Sequence, residues 1–103
     1  MQENEKSKML HEILQLCQPE KIILHGTKRG LSSGRIKTAS LCIVVPDCDK
    51  KALLRRLYLE LPLDIQFNVN LYTREEWADM TDDPDSYASW INEKGTVLYE
   101  SKP

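Results

Sequence analysis

Between Thr27 and Pro46 the chain carries no aspartate and no glutamate, yet it holds Lys28, Arg29, Arg35 and Lys37. Two apolar runs bracket this stretch, Ile22-Ile23-Leu24 before it and Leu41-Cys42-Ile43-Val44-Val45 at its end. Short apolar runs bounded by turn residues read as buried strands. The pattern predicts a first strand, a tight glycine turn at His25-Gly26-Thr27, a basic loop reaching Lys37, and a second strand from about Ala39 to Val45. Gly26, Gly30 and Gly34, with Ser32 and Ser33, predict a flexible loop rich in available backbone N–H groups. It is locally +4 in a chain of net charge −2. Such a loop suits a phosphate or a nucleotide held without metal, its cations standing in for the ion. The plainer reading is a solvated loop whose charges serve solubility.

The surrounding elements follow from periodicity and punctuation. Met9, Leu10, Ile13, Leu14, Leu16 and Cys17 form one helical stripe from about Glu5 to Cys17, stopped by Pro19. A second helix runs from near Asp49 to Glu60, with Leu53, Leu54, Leu57 and Leu61 inward, and Pro62 ends it. From Asp64 to Tyr72 the chain alternates: Ile65, Phe67, Val69 and Leu71 face one way, Gln66, Asn68, Asn70 and Tyr72 the other. Thr73-Arg74-Glu75-Glu76 is a capping-box sequence that opens a short helix. Asp83-Pro84 opens a last helix, Gly95 closes it after Lys94, and Thr96 to Tyr99 form a final strand. The expected fold is α/β (α+β), a small mixed sheet with helices packed on one side, in a single domain over 1–103.

At 103 residues, 41% hydrophobic and 29% charged, the chain has the composition of an ordinary globular domain. Its slight negative charge supplies no general attraction to nucleic acid or to an anionic membrane. No run of eighteen apolar residues and no leader is visible, so the expected location is cytoplasmic with no membrane partner. Three cysteines without a CxxC spacing give no zinc signal. Cys17 and Cys42 fall on apolar faces and read as buried reduced thiols. Cys48 is expected exposed between Asp47 and Asp49, which disfavour a thiolate nucleophile.

Four motifs in order carry a resemblance covering Lys21 to Glu100: Leu24-His25-Gly26-Thr27, Leu41-Cys42-Ile43-Val44-Val45, Asn68-Val69-Asn70-Leu71-Tyr72-Thr73-Arg74-Glu75-Glu76-Trp77, and Glu93-Lys94-Gly95-Thr96-Val97-Leu98-Tyr99-Glu100. This resembles the minimal nucleotidyltransferases of the polymerase-beta-like superfamily. The resemblance puts Gly26 and Thr27 at the family's triphosphate-holding Gly-Ser. Counting the usual loop length from Gly26 puts two metal-binding carboxylate positions at Thr38 and Ser40. Counting back from the threonine cap puts the third at Asn68. All three are neutral, and no shift of register puts an acid in the loop. Two-metal transfer needs carboxylates to hold the cations, so the implied magnesium is not expected.

Nearby acids are poorly placed to substitute. Asp47 lies seven residues past Ser40, about 23 Å of extended chain. Asp64 lies about 13 Å from Asn68 along a strand. The preferred reading is a nucleotidyltransferase-like domain that has lost metal-dependent transfer and acts as a binding or regulatory module. Its phosphate- or nucleotide-binding candidates are Gly26, Thr27, Lys28, Arg29, Arg35 and Lys37. The resemblance also implies a helical protein partner or a homodimer. The alternative is an active enzyme transferring a nucleoside monophosphate from a triphosphate with displaced metal ligands, and only that reading retains Mg2+. An unrelated α/β binding domain is the third.

His25 is expected to pack under the loop in a structural role, and His11 to be exposed. Trp77, Tyr87, Trp90 and Ile91 read as closing the core over the sheet, with a partner-binding face as the second reading. The run Asp79, Asp82, Asp83, Asp85 lacks the glycine and glutamate spacing of a calcium loop and reads as helix-capping acids.

Overall fold

Every helix and strand that the punctuation predicts is formed, with shifted ends. A computed structural model describes residues 2–63 and 65–101, with side chains from Lys6 onward. In chain order the elements are α1 (Gln2–Leu16), β1 (Lys21–Arg29), β2 (Ile36–Val45), α2 (Lys50–Glu60), β3 (Gln66–Thr73), α3 (Arg74–Asp82), α4 (Tyr87–Lys94) and β4 (Thr96–Glu100). The four strands form one mixed sheet in the order β3-β2-β1-β4. β1 pairs antiparallel with both β2 and β4, whereas β2 pairs parallel with β3 across the α2 crossover. Asp64, considered above as a displaced ligand, lies outside the described residues.

The helices divide between the two faces of the sheet, where a single side was expected. Met9 and Ile13 of α1 and Leu57 of α2 pack on Ile22, Leu24, Leu41, Ile43 and Val45. On the opposite face Ile91 of α4 and Trp77 of α3 pack on Ile23, Cys42 and Val44. The physical reason is that β1 and β2 are central strands whose apolar runs do not alternate, so both faces must be covered. Ile13, Ile22, Ile23, Leu41, Ile43, Leu57 and Ile91 are fully buried. Each withdraws apolar surface worth roughly 1.5–3 kcal/mol from water before chain entropy is set against it.

The glycine turn is also displaced. β1 does not stop at Leu24 but continues through Gly26 and Thr27 to Arg29, and β2 begins at Ile36, ahead of the expected Ala39. The sharp reversal is made by 30–35, where Gly34 takes a φ of +68° that favours glycine. The expected loop is thus a β-hairpin, and some of its backbone N–H groups are used within the turn. Gly30 N donates to Arg35 O at 2.9 Å, and Gly34 N to Gly30 O at 3.0 Å. The cross-strand register skips at His25 and again between Lys28 and Arg29, two irregularities that carry the hairpin past the sheet.

The helix starts after β2 agree with the sequence in two of three places. Asp49 caps α2, accepting from Ala52 N at 3.2 Å. Thr73 caps α3 reciprocally: Glu76 N donates to its hydroxyl at 3.3 Å and Thr73 N donates to Glu76 Oε1 at 2.9 Å. Lys50 Nζ reaches the same carboxylate at 2.8 Å, tying the starts of α2 and α3 together. The last helix, expected to open at Asp83-Pro84, opens instead at Tyr87 under the Ser86 cap. Asp83 uses its carboxylate on Asp85 N at 2.9 Å, which forms a turn and leaves Ser86 to cap.

Candidate functional site

The strand register assembles the residues that sequence reasoning singled out. Ser40 on β2 lies directly opposite Gly26 on β1 and directly opposite Asn68 on β3. Gly26, Ser40 and Asn68 therefore form one row across three strands. Thr38, two residues from Ser40 and on the same face, starts a parallel row with Lys28 on one side and Gln66 on the other. In the other direction along the face, Ile23, Cys42 and Asn70 make the next row. This is the face that α3 and α4 cover at Ile23, Cys42 and Val44. Asn68, Gln66, Gly26 and Lys28 remain exposed, and Thr38 and Ser40 are half-buried.

Two of the expected site residues part company. Thr27 pairs with Ala39, whose side chain is buried in the core under α1 and α2. Strand alternation puts Thr27 on that side and Gly26 with Ser40 and Asn68 on the other. Gly26 leaves the row open rather than permitting a strained turn, since an added Cβ would sit 3.6 Å from Ser40. Of the hairpin cations, Arg29 donates from its guanidinium to Gly34 O at 2.9 Å and so holds the turn. Lys28 stands at the end of the Thr38 row.

Aromatic rings flank the polar rows, and these the sequence placed only in part. The His25 ring lies edge-on to Tyr87 at 5.9 Å and to Trp90 at 6.5 Å, and the two larger rings stack 5.8 Å apart. Ile91 and Trp77 close the core as expected, but Tyr87 and Trp90 stay about half exposed. At the β3 edge an open cleft of about 360 Å³ is lined by Thr38, Gln66, Asn68, Tyr58, Ile65 and Phe67. Tyr58 stacks on Phe67 at 5.4 Å, and its hydroxyl accepts from Val69 N at 2.9 Å. That bond satisfies an edge-strand donor, which no periodicity argument could assign.

The electrostatics of the site are those of neutral donors. Thr38 and Ser40 offer hydroxyls and Asn68 an amide, a set that does not fit a divalent cation requiring anionic oxygen. Among the described residues no group of three or more His, Cys, Asp or Glu side chains is arranged to hold a metal ion. Two thiols are held protonated: burial pushes Cys42 up to about 12 and Cys17 up to about 11. Among the described residues no helix is long and apolar enough to cross a membrane.

His25 is one titratable group of this face, and its Nε2 is buried without a hydrogen-bond partner. Burial lowers its proton affinity from the usual 6.5, while the Asn70 side chain and the Leu41 backbone pull the other way. Because the unfolded chain then takes the proton more readily, stability is full above about pH 7.5 and falls as the pH drops through the unfolded value. The slope stays below the ~1.4 kcal/mol per pH unit ceiling for one proton, since the ring is only partly buried. Glu20 and Glu76 are held below 4.5, chiefly by hydrogen bonds from Arg74 and Lys50, so their contribution is lost further down. Thermal melts between pH 8 and 5 should show the decline, and His25→Phe should flatten it. An unchanged slope in that variant excludes this origin.

The chain matches no protein-family model, no curated protein and no solved structure.

Proposed function

We propose that the chain is a nucleotidyltransferase-like domain in which metal-dependent transfer has been lost and the corresponding face serves as a binding surface. The observation that carries the reading is the neutral row. The three positions that the resemblance assigns to metal carboxylates fall on one open face, with Ser40 and Asn68 in direct register and Thr38 beside them. Convergence of that kind is what a catalytic frame requires, and the chemistry of the side chains is what a cation site excludes.

Without a metal, the face presents hydroxyl and amide donors, one lysine at its end and aromatic walls. Such a surface suits a nucleotide or another phosphate bound through side-chain donors and Lys28, or a protein partner seated over the exposed Tyr87 and Trp90. Reduced cysteines agree with a cytoplasmic location, which belongs to the same proposal. A calorimetric titration with ATP, with and without Mg2+, tests the nucleotide half. The expected result is metal-independent binding that Lys28→Ala weakens by ~3–10-fold, one charge-assisted contact. No heat up to about 10 mM ligand, far weaker than a useful site, sinks it. Incorporation of radiolabelled nucleotide with Mg2+ or Mn2+, abolished by Thr27→Ala or Asn68→Ala, would overturn the loss of catalysis.

A further inference from the structure

We infer that the chain associates with itself head to tail, the tip of the β1–β2 hairpin docking on the α3–α4 turn of a second copy. The hairpin projects beyond its neighbours: β3 pairs with β2 only from Thr38 onward, and β4 pairs with β1 only as far as Leu24. At its tip Leu31 is fully exposed. Lys28, Arg35 and Lys37 lie on the same hairpin, with no acid between Thr27 and Pro46. An exposed leucine on a cationic hairpin suits burial against an acidic partner.

The complementary surface lies on the same chain. Asp79, Asp82, Asp83 and Asp85 are exposed, and no lysine or arginine falls between the first and the last of them. Met80 and Tyr87, both substantially exposed, fall within and just after this run in the sequence. The cations of the hairpin that carries Leu31 thus complement the carboxylates of the turn that carries Met80. Among the described residues none of these aspartates is in an ion pair, and Lys28, Arg35 and Lys37 are in none either. The two patches are different surfaces, so the contact is heterologous and either closes into a ring or extends as a chain. Individual exposed ion pairs contribute little, so the association is weak and its charges mainly set orientation and salt dependence. A net charge of −2 argues for this partner over a polyanion, which would meet the acidic turn as repulsion.

Sedimentation equilibrium over a concentration series decides, run at ionic strengths of about 0.05 M and about 0.5 M, where the Debye length shrinks severalfold. The expected result is a weight-average mass that rises with concentration at low salt and returns to the monomer at high salt. Arg35→Glu with Lys37→Glu should weaken self-association at least ~10-fold, and so should Asp82→Lys with Asp83→Lys, because each pairs like charges. Mixing the two variants should restore association, since each then offers the other an opposite charge. That rescue also excludes misfolding as the cause of the loss. A monomer at about 1 mM and low salt overturns the inference, as does association that either variant leaves intact or a mixture that fails to rescue. A monomeric chain whose hairpin binds a fluorescein-labelled oligonucleotide would assign the surface to nucleic acid and overturn it too.

Discussion

Replacing Gly95 with alanine is expected to destabilise the fold by about 3 kcal/mol and to lower the Tm by roughly 15 °C. Gly95 joins α4 to β4, and its φ of −76° is open to any residue, so the effect is one of space. An added Cβ would lie 2.3 Å from Ile23 Cγ2 and 2.7 Å from Ile91 O. Ile23 and Ile91 are fully buried partners in the core between the sheet and α4. The Ile91 carbonyl cannot retreat cheaply, because it accepts the Gly95 N–H at 2.8 Å and so ends the helix. Gly26 offers the contrast: a Cβ there makes ordinary contact, and Gly26→Ala should change stability by less than about 1 kcal/mol. Chemical denaturation of both variants reads the difference. Ile23→Ala combined with Gly95→Ala should be less destabilised than the sum of the single changes, since the clash is relieved. Strict additivity would show that the crowding at Gly95 is not the cause.

That crowding shows what could be read in advance and what could not. Gly95 was legible as a helix terminator because a lysine precedes it and a strand pattern follows. Its contact with Ile23 was not, since the packing of α4 against β1 is decided by tertiary geometry. The same division runs through the site. Pro19, Pro46 and Pro62 and the Thr73 cap delimit elements on local grounds, and the strict alternation of β3 puts Asn68 and Asn70 on one face. The resemblance named Thr38, Ser40 and Asn68, and in the fold Ser40 pairs with Asn68 while Thr38 lies two residues along β2.

Gly26 misled because glycine, threonine and lysine are as compatible with a hairpin strand as with a turn. The competing signal, Gly30 to Gly34 with two serines, lay only a few residues on. The unalternating runs in β1 and β2 held the information that both faces of the sheet are covered. They did not say which helices would cover them. The aromatic wall of His25, Tyr87 and Trp90 needed both the bulge in β1 and the position of α4, and neither has a local signature.

Placing carboxylates on the neutral row of Thr38, Ser40 and Asn68 should create a metal site there. In a chain carrying Thr38→Asp, Ser40→Asp and Asn68→Asp, two of the new carboxylates occupy directly paired positions of adjacent strands. Side chains so placed have Cβ atoms about 5 Å apart, and the third lies about 7 Å along the same strand face. Carboxylates at those separations can bring oxygens to within the ~2.1 Å that a small divalent cation demands. Gly26, lacking a side chain, leaves room above the row. Without metal the variant should lose about 1 kcal/mol to repulsion between facing acids. With Mn2+ at a hundredfold excess over its dissociation constant it should gain about 2.7 kcal/mol, so its melting temperature becomes metal-dependent. The wild-type chain should show no such shift, and its affinity for Mn2+, read by electron paramagnetic resonance, should be at least ~100-fold weaker. Ser40→Asp alone should bind marginally, because one carboxylate does not build a site. A triple variant that ignores Mn2+ would mean that the row lacks the geometry of a catalytic frame, and the nucleotidyltransferase reading would fall with it. Tight binding by the wild type would mean that charge loss is not what separates this face from an active one.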